Sequence, residues 1–511
     1  MQKFKASIST LYLNTIGGPC CAGAKKTFFL VCLQYFFLRF VFFIILKNTL
    51  LEKVIDNTEE LGSKNINKLL WQYALPAVIT QITASIYNIV DRMFLGQCVG
   101  ALAIAGLAIT MPIMNIIHAF GSLVGVGSSA RMSIVLGKKD INWAENILGN
   151  SMILTFILGL LFVTGGYAFM SRILTMFGAS AETIGYAREY MNIVLPGMFM
   201  TTVTFNLTGL IRASGYPNKS MWILVGGAVL NIILDALLIY GLNWGIAGAA
   251  WATTISMTCS AFVAVLHFLQ PSSFIRFRRH AWRPKGYIFR NILLIGMSPF
   301  LMNVAASGVV ALLNTQLIRY GGDLAVGANG IVNSFAPLVI MLILGICQGM
   351  QPIAGYNYGA EKMTRLKEVY FLTMKWNVIV GIIGAFLAVV FPKYIIMAFT
   401  KDADLITLSI PAMRYLMVCA PLIGFTITNS QFFQSIDKPW VAIVTSLSRQ
   451  VLFLIPIMFI IPPIYEHFHL SGLTGVFCSC TICDILGALL SAILLYSQWK
   501  IFHPARSANQ I

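Results

Sequence analysis

Apolar runs long enough to cross a membrane recur from one end of this chain to the other. A helix needs about 20 predominantly apolar residues to traverse hydrocarbon. No water is available there, so the backbone must satisfy its own hydrogen bonds, and helices are the default. A membrane barrel would instead show short segments of alternating polarity. Twelve core spans are expected near 69–95, 105–136, 144–170, 183–211, 217–241, 245–270, 288–318, 325–354, 368–392, 405–435, 439–463 and 472–499. Several exceed the minimum length, which predicts tilt or protrusion. Only 10% of the 511 residues are charged and 58% are hydrophobic, whereas soluble domains carry about a quarter charged residues. The expected fold class is an all-α polytopic membrane protein with an N-terminal extension.

The net charge of +17 would point to nucleic acid in a soluble protein. Here it collects in alternate loops, as cytoplasmic loops of membrane proteins do, and nucleic acid is not an expected partner. Lys53, Lys64 and Lys68 precede the first span, and Lys138 and Lys139 follow the second. Arg212 and Lys219 flank the 4–5 loop, and Arg276, Arg278, Arg279, Arg283 and Lys285 fill the 6–7 connection. Lys362, Arg365 and Lys367 mark the 8–9 loop, Lys438 the 10–11 loop, and Lys500 and Arg506 the tail. The other loops are nearly bare, Arg172, Lys393 and Lys401 excepted. Both ends of the core are therefore expected in the cytoplasm. The division that follows is an extension over 1–60, an N-lobe over 61–270, a basic linker over 271–287, a C-lobe over 288–499 and a tail over 500–511. Thr27–Leu46 is apolar and aromatic but holds Gln34 and Arg39, and is read as a peripheral appendage or an extra apolar segment, the first being favoured because a span would put Lys3, Lys5, Lys25 and Lys26 outside.

The halves repeat weakly. Leu102–Gly106 answers Leu324–Ala328, Leu195-Pro196 answers Ala420-Pro421, and Gly215-Tyr216-Pro217 answers Asp437-Lys438-Pro439. Gly245–Gly248 answers Gly472–Gly475, and Pro76 near the start of the first span has Pro299 near the start of the seventh. The offset stays between 222 and 227. Both spans start on the same side, so the repeat is parallel; internal repeats flank the pathway of many secondary transporters.

Ionisable groups within membrane spans are rare and costly, and so mark functional candidates. Asp91 lies roughly 31 Å along the first span and Asp235 roughly 27 Å along the fifth, at 1.5 Å per residue, so the two share a depth. Asn231 precedes Asp235 by four residues and shares its helix face. Thr253 lies roughly 12 Å into the sixth span from the opposite side, at a similar level. Two readings fit: a site for H⁺ or Na⁺ built from two carboxylates, an amide and a hydroxyl, or a buried polar network near the outer boundary. The residue answering Asp91 is Asn314, and Asp235 has its counterpart near Ile457, so the acidic site belongs to the N-half alone. Arg449 and Asp484 are expected to pair across adjacent spans. Cys478, Cys480 and Cys483 spread around a helix axis and read as buried thiols rather than a metal site. No phosphate loop or nucleophile constellation appears, so neither ATP drive nor enzyme activity is expected. Gly and Pro inside the spans permit close packing and kinks.

Several stretches together resemble the MATE (multidrug and toxic compound extrusion) family over roughly Asn67 to Trp499. They are Pro76–Gly96 with Asp91, Arg212–Pro217, Asn231–Asp235, Gly245–Thr253 and Gln351–Gly359. The resemblance implies two six-helix lobes in a V around a central cavity. It implies export of amphipathic organic cations or drugs by alternating access, driven by H⁺ or Na⁺ re-entry, without a further cofactor. It assigns Asp91, Asn231, Asp235 and Thr253 to cation coupling, with Asp91 and Asp235 as Na⁺ ligands if Na⁺ is the ion. Tyr87, Tyr190 and Asn206 are similar to the family's cavity residues, and Pro76 takes the place of a hinge. The lack of an acid in the seventh span places the sequence with the N-lobe-acidic bacterial branch. A monomer in the bacterial inner membrane, contacting lipid, is expected. The alternative is a lipid-linked oligosaccharide flippase of related architecture, whose pyrophosphate would need several cations at mid-depth.

Overall fold

In the computed structural model, residues 58–98, 101–180, 182–271 and 273–502 are described; the apolar stretch Thr27–Leu46 lies outside them. A short helix, Glu59–Ser63, leads into α1 (Ile66–Cys98), α2 (Ala101–Gly137), α3 (Ile141–Met176), α4 (Ile184–Ala213), α5 (Pro217–Asp235) and α6 (Gly245–Leu269). A single helical stretch, Gly286–Gly359, is broken at Gly322 by φ 65° and ψ −165°, which divides it into α7 (286–321) and α8 (323–359). There follow α9 (Met363–Val390), a bent α10 made of Ala403–Met417 and Ala420–Ser435, α11 (Pro439–His467) and α12 (Gly472–Ser497). Counting the broken stretch as two and the bent pair as one gives the twelve expected spans among the described residues.

Local chemistry explains the breaks. The Gly322 conformation is one that essentially only glycine adopts, and it breaks the helix with no intervening loop. A Cβ there would meet nothing within 4 Å, so the cost of Gly322→Ala is backbone strain alone, about 1–3 kcal/mol. We expect that variant to melt earlier in detergent while keeping its helix content, checked by thermal circular dichroism. The halves of α10 meet at 42°. Pro421, at the start of the second half, offers no N–H to the preceding turn. Its counterpart Pro196 sits inside an unbroken α4, so the repeat is not exact in geometry.

The basic segments assemble at one end of the bundle. Lys362 Nζ donates to the Gly62 carbonyl at 2.8 Å, and Arg365 Nη2 to the Lys64 carbonyl at 2.6 Å. These bonds tie the leading helix to the α8–α9 turn. Glu145, buried at the start of α3, takes Arg278 at 2.9 Å and His280 at 3.3 Å. Asn150 donates to the Ala281 and Arg283 carbonyls and accepts from the Lys285 N–H. The connection between lobes is thus pinned to α3.

Core packing shows where the lobes join. At the basic end one apolar cluster runs through both, from Leu70, Val135 and Leu210 to Ile292, Met350 and Phe432. Away from that end, among the described residues, the buried clusters no longer cross between lobes. One holds Leu107, Leu174, Met191 and Ala249; another holds Leu317, Val332, Met413 and Phe477. The lobes therefore share a core at the basic end and diverge away from it, which is the V. Small residues make the shared end possible. A Cβ on Gly349 would lie 2.6 Å from the Ala74 backbone, and one on Gly296 would collide with the Leu123 carbonyl. Arg131 of α2 also pairs with Asp437 of the α10–α11 turn.

Candidate functional site

The N-lobe acids lie in the diverging half of the molecule. α1 packs along α5, and α5 along α6, so three spans converge on one point. Asp235 is the last residue of α5 before the chain loosens into a π-helical turn, Ala236–Gly241. Such turns are rare and recur at functional sites. Gly248 lets α6 approach that turn: a Cβ there would lie 3.1 Å from the Leu238 backbone.

Asp235 is fully buried, Asn231 is 1% exposed and Asp91 9% exposed. Asn231 Nδ2 donates to Thr253 Oγ1 at 3.4 Å. The Thr253 hydroxyl also bonds the phenol of buried Tyr190, which feels the charges of both Asp91 and Asp235 and lies near Tyr87. Asp91 is within electrostatic reach of Asp235. Neither oxygen of Asp235 has a hydrogen-bond partner, and the Asn231 Oδ1 also lacks one. Buried polar atoms are nearly always satisfied, and burying an unpaired carboxylate is among the costliest choices a fold can make. Three orphan oxygens in a pocket of two acids suit a small hard cation or a proton. Among the described residues no group of three or more His, Cys, Asp or Glu side chains is placed to hold a metal ion. The oxygens that converge here come from two acids, an amide and a hydroxyl.

The expected residues do not all meet. Asp91, Asn231, Asp235, Thr253, Tyr190 and Tyr87 gather, but Asn206 does not join them. It is fully buried near the basic end of α4, accepting from Ser128 Oγ at 2.8 Å and donating to Ser151 and Thr155. Its repeat counterpart, Asn429, sits in a similar network, accepting from Tyr370 and donating to Ser491. The same bonding in both lobes marks these asparagines as helix-to-helix ties. Pro76 is buried within a continuous α1, where Thr80 Oγ1 donates to its carbonyl at 2.9 Å. Arg449 and Asp484 do pair, at 2.8 Å. Cys483 is buried and Cys478 and Cys480 half-buried, all as free thiols.

A family model described as MatE matches twice, over residues 76–237 and 298–460. The chain belongs to the MatE family. The two matches start 222 residues apart, the offset at which the halves repeat in sequence. This MatE chain is 26% identical over 433 residues to the multidrug export protein MepA of Staphylococcus haemolyticus (strain JCSC1435), covering 85% of this chain and 94% of that protein. It resembles a solved structure described as the outward-facing conformation of a multidrug resistance MATE family transporter. The TM-score is 0.81 at 25% identity, over 88% of this chain and 99% of the other. A structure described as protein A matches with TM-score 0.80 and 33% identity, over 89% of this chain and 99% of that one. Family membership makes the chain a multi-pass membrane transporter and not an enzyme.

Proposed function

We propose that this protein exports amphipathic organic cations and drugs from the bacterial cytoplasm in exchange for H⁺ or Na⁺, by alternating access across the inner membrane. The observation that carries the reading is Asp235: fully buried, beside Asp91, with both oxygens unpartnered. Like charges repel strongly where water is excluded, and one small cation or proton between them relieves that repulsion. The ligand then favours whichever arrangement of α1, α5 and α6 brings its donors together, because it shifts an equilibrium only by its differential affinity for the two states. Pro76 supplies the flexible point in α1, since it removes one hydrogen bond from the helix. Lys and Arg collect on the cytoplasmic side, so the shared core closes the cytoplasmic end and the V opens outward. The structural relative described as outward-facing and the relative named a multidrug export protein support this assignment.

The flippase alternative is not favoured. It calls for several cations at mid-depth, whereas Arg449 is tied to Asp484 and Lys375 is exposed. The function is tested by presenting a fluorescent organic cation outside everted vesicles, whose cytoplasmic face is outward, and following its uptake under a Na⁺ gradient and a pH gradient imposed separately. Dye transport is expected under one of the two gradients and not in vesicles lacking the protein; no transport under either would refute the reading.

A further inference from the structure

The C-lobe carries a cavity of about 230 Å³ that no part of the cation reading uses. It lies between α7, α8, α10, α11 and α12. Most of its wall is aliphatic, with Val309, Leu313, Val332 and Ile340 among the contributors. The polar part of the wall is Arg449 and Gln450 of α11, Asp484 of α12 and the amides Asn329 and Asn333 of α8. Arg449 and Gln450 stand in a π-helical turn, Ser448–Leu454, inside α11. The repeat relates the two lobes here as well. At the offset of 227 that links Gly245 to Gly472, Thr253 of the cation site answers Cys480, which lines this cavity.

Chemistry separates the two sites. The N-lobe pocket presents two acids, whereas the C-lobe cavity presents an internally neutral pair. Arg449 Nη1 donates to Asp484 Oδ1 at 2.8 Å. A guanidinium has five N–H donors, so this bond leaves capacity for a further acceptor. The buried Gln450 Oε1 has no donor. A ligand bringing net charge would unbalance the pair in a poorly solvated place, which is costly. A ligand with one acceptor and one donor on an apolar body satisfies both groups with no net charge. A cavity of about 150 Å³ takes benzene, so this one holds a ring with a small polar group attached.

We propose that this cavity is a second ligand site, taking uncharged amphiphiles that bear an amide-like donor–acceptor head on an aromatic or aliphatic body. The carbonyl accepts from Arg449 and the N–H donates to Gln450 Oε1, while the body lies against the aliphatic wall. The inference does not depend on cation coupling, because occupancy is read without any gradient.

The test uses the full chain in lipid nanodiscs, with empty nanodiscs as the blank for partitioning. Binding of 4-(trifluoromethyl)benzamide is followed by ¹⁹F NMR line broadening, beside the corresponding benzoate and benzylamine. Saturable binding of the benzamide is expected, at least about tenfold tighter than either charged analogue. Ala336→Phe, which fills the cavity and keeps the ion pair, is expected to weaken binding about tenfold or more. Arg449→Met alone leaves Asp484 buried and unpaired and is liable to misfold. The double variant Arg449→Met/Asp484→Leu avoids that and is expected to lose the preference for the amide. Asp235→Asn is expected to bind the benzamide like wild type, even where it no longer transports. No saturable binding to wild type, equal binding of the charged analogues, or unchanged affinity in Ala336→Phe would each overturn the proposal.

Discussion

Replacing Asp235 by Asn is expected to reduce gradient-driven dye efflux by at least about tenfold while leaving the protein folded. Asn keeps the size and one acceptor of the acid but cannot take up or release a proton and holds a cation poorly. The variant therefore removes the differential affinity through which an ion gradient acts on the helices. Coupling free energies of about 1–3 kcal/mol correspond to roughly 5- to 150-fold, which sets the scale of the loss. Stability is expected to hold or rise, because a buried carboxylate without hydrogen-bond partners is replaced by a neutral amide. Dye uptake into everted vesicles, the inverted equivalent of efflux, under each gradient, together with a detergent melting curve, checks both parts. Normal pumping under both gradients would remove the acid pair from the mechanism. Asp91→Asn is a useful partner experiment. If the two acids share one ion, the double variant should be scarcely worse than either single one, the non-additivity of groups in one network.

The second large effect is expected at the opposite end. Gly296 of α7 meets the Leu123 carbonyl of α2 so closely that even a Cβ collides. Gly296→Val therefore cannot occupy the closed basic end without parting the two helices. Overpacking of this kind costs about 1–3 kcal/mol, here charged only to the state in which the lobes touch at that point. The population should shift by roughly 5- to 150-fold toward an arrangement with the basic end parted. Spin labels at Lys138 and Thr364, one exposed position in each lobe, placed in a cysteine-free background, should report a longer distance by pulsed electron resonance. Gly296→Ala should give a smaller shift in the same direction. An unchanged distance in both variants would mean that the contact does not hold the end closed.

Much of the architecture was legible because bilayer thickness imposes a length on every span. Apolar runs, alternating basic loops and the repeated motifs give twelve helices in two halves, and the family model falls on both halves at the same offset. The Arg449–Asp484 pair was readable for a similar reason: two opposite charges at matching depth in adjacent spans have few other partners. The breaks were less legible. Nothing in Gly322 distinguishes it from the many other glycines of the chain until its φ of 65° is seen. Pro421 and Pro196 occupy matching places, yet only one interrupts its helix.

At the candidate site, depth along a helix is a sequence quantity, and it brought Asp91, Asp235 and Thr253 to one level. Azimuth is not, because it depends on how neighbouring helices rotate to pack. Asn206 was already separable by depth: it lies near the basic end of α4, where it bonds Ser128 and Ser151, whereas the acids lie in the diverging half. The sequence alone determined that the chain crosses a membrane many times, in two related halves, with acids in only one of them. Only the tertiary structure decided which end the lobes share, which oxygens of Asp235 and Asn231 are left without partners, and that the second lobe encloses a neutral cavity. Those facts arise from contacts between residues far apart in the chain, which local periodicity does not encode.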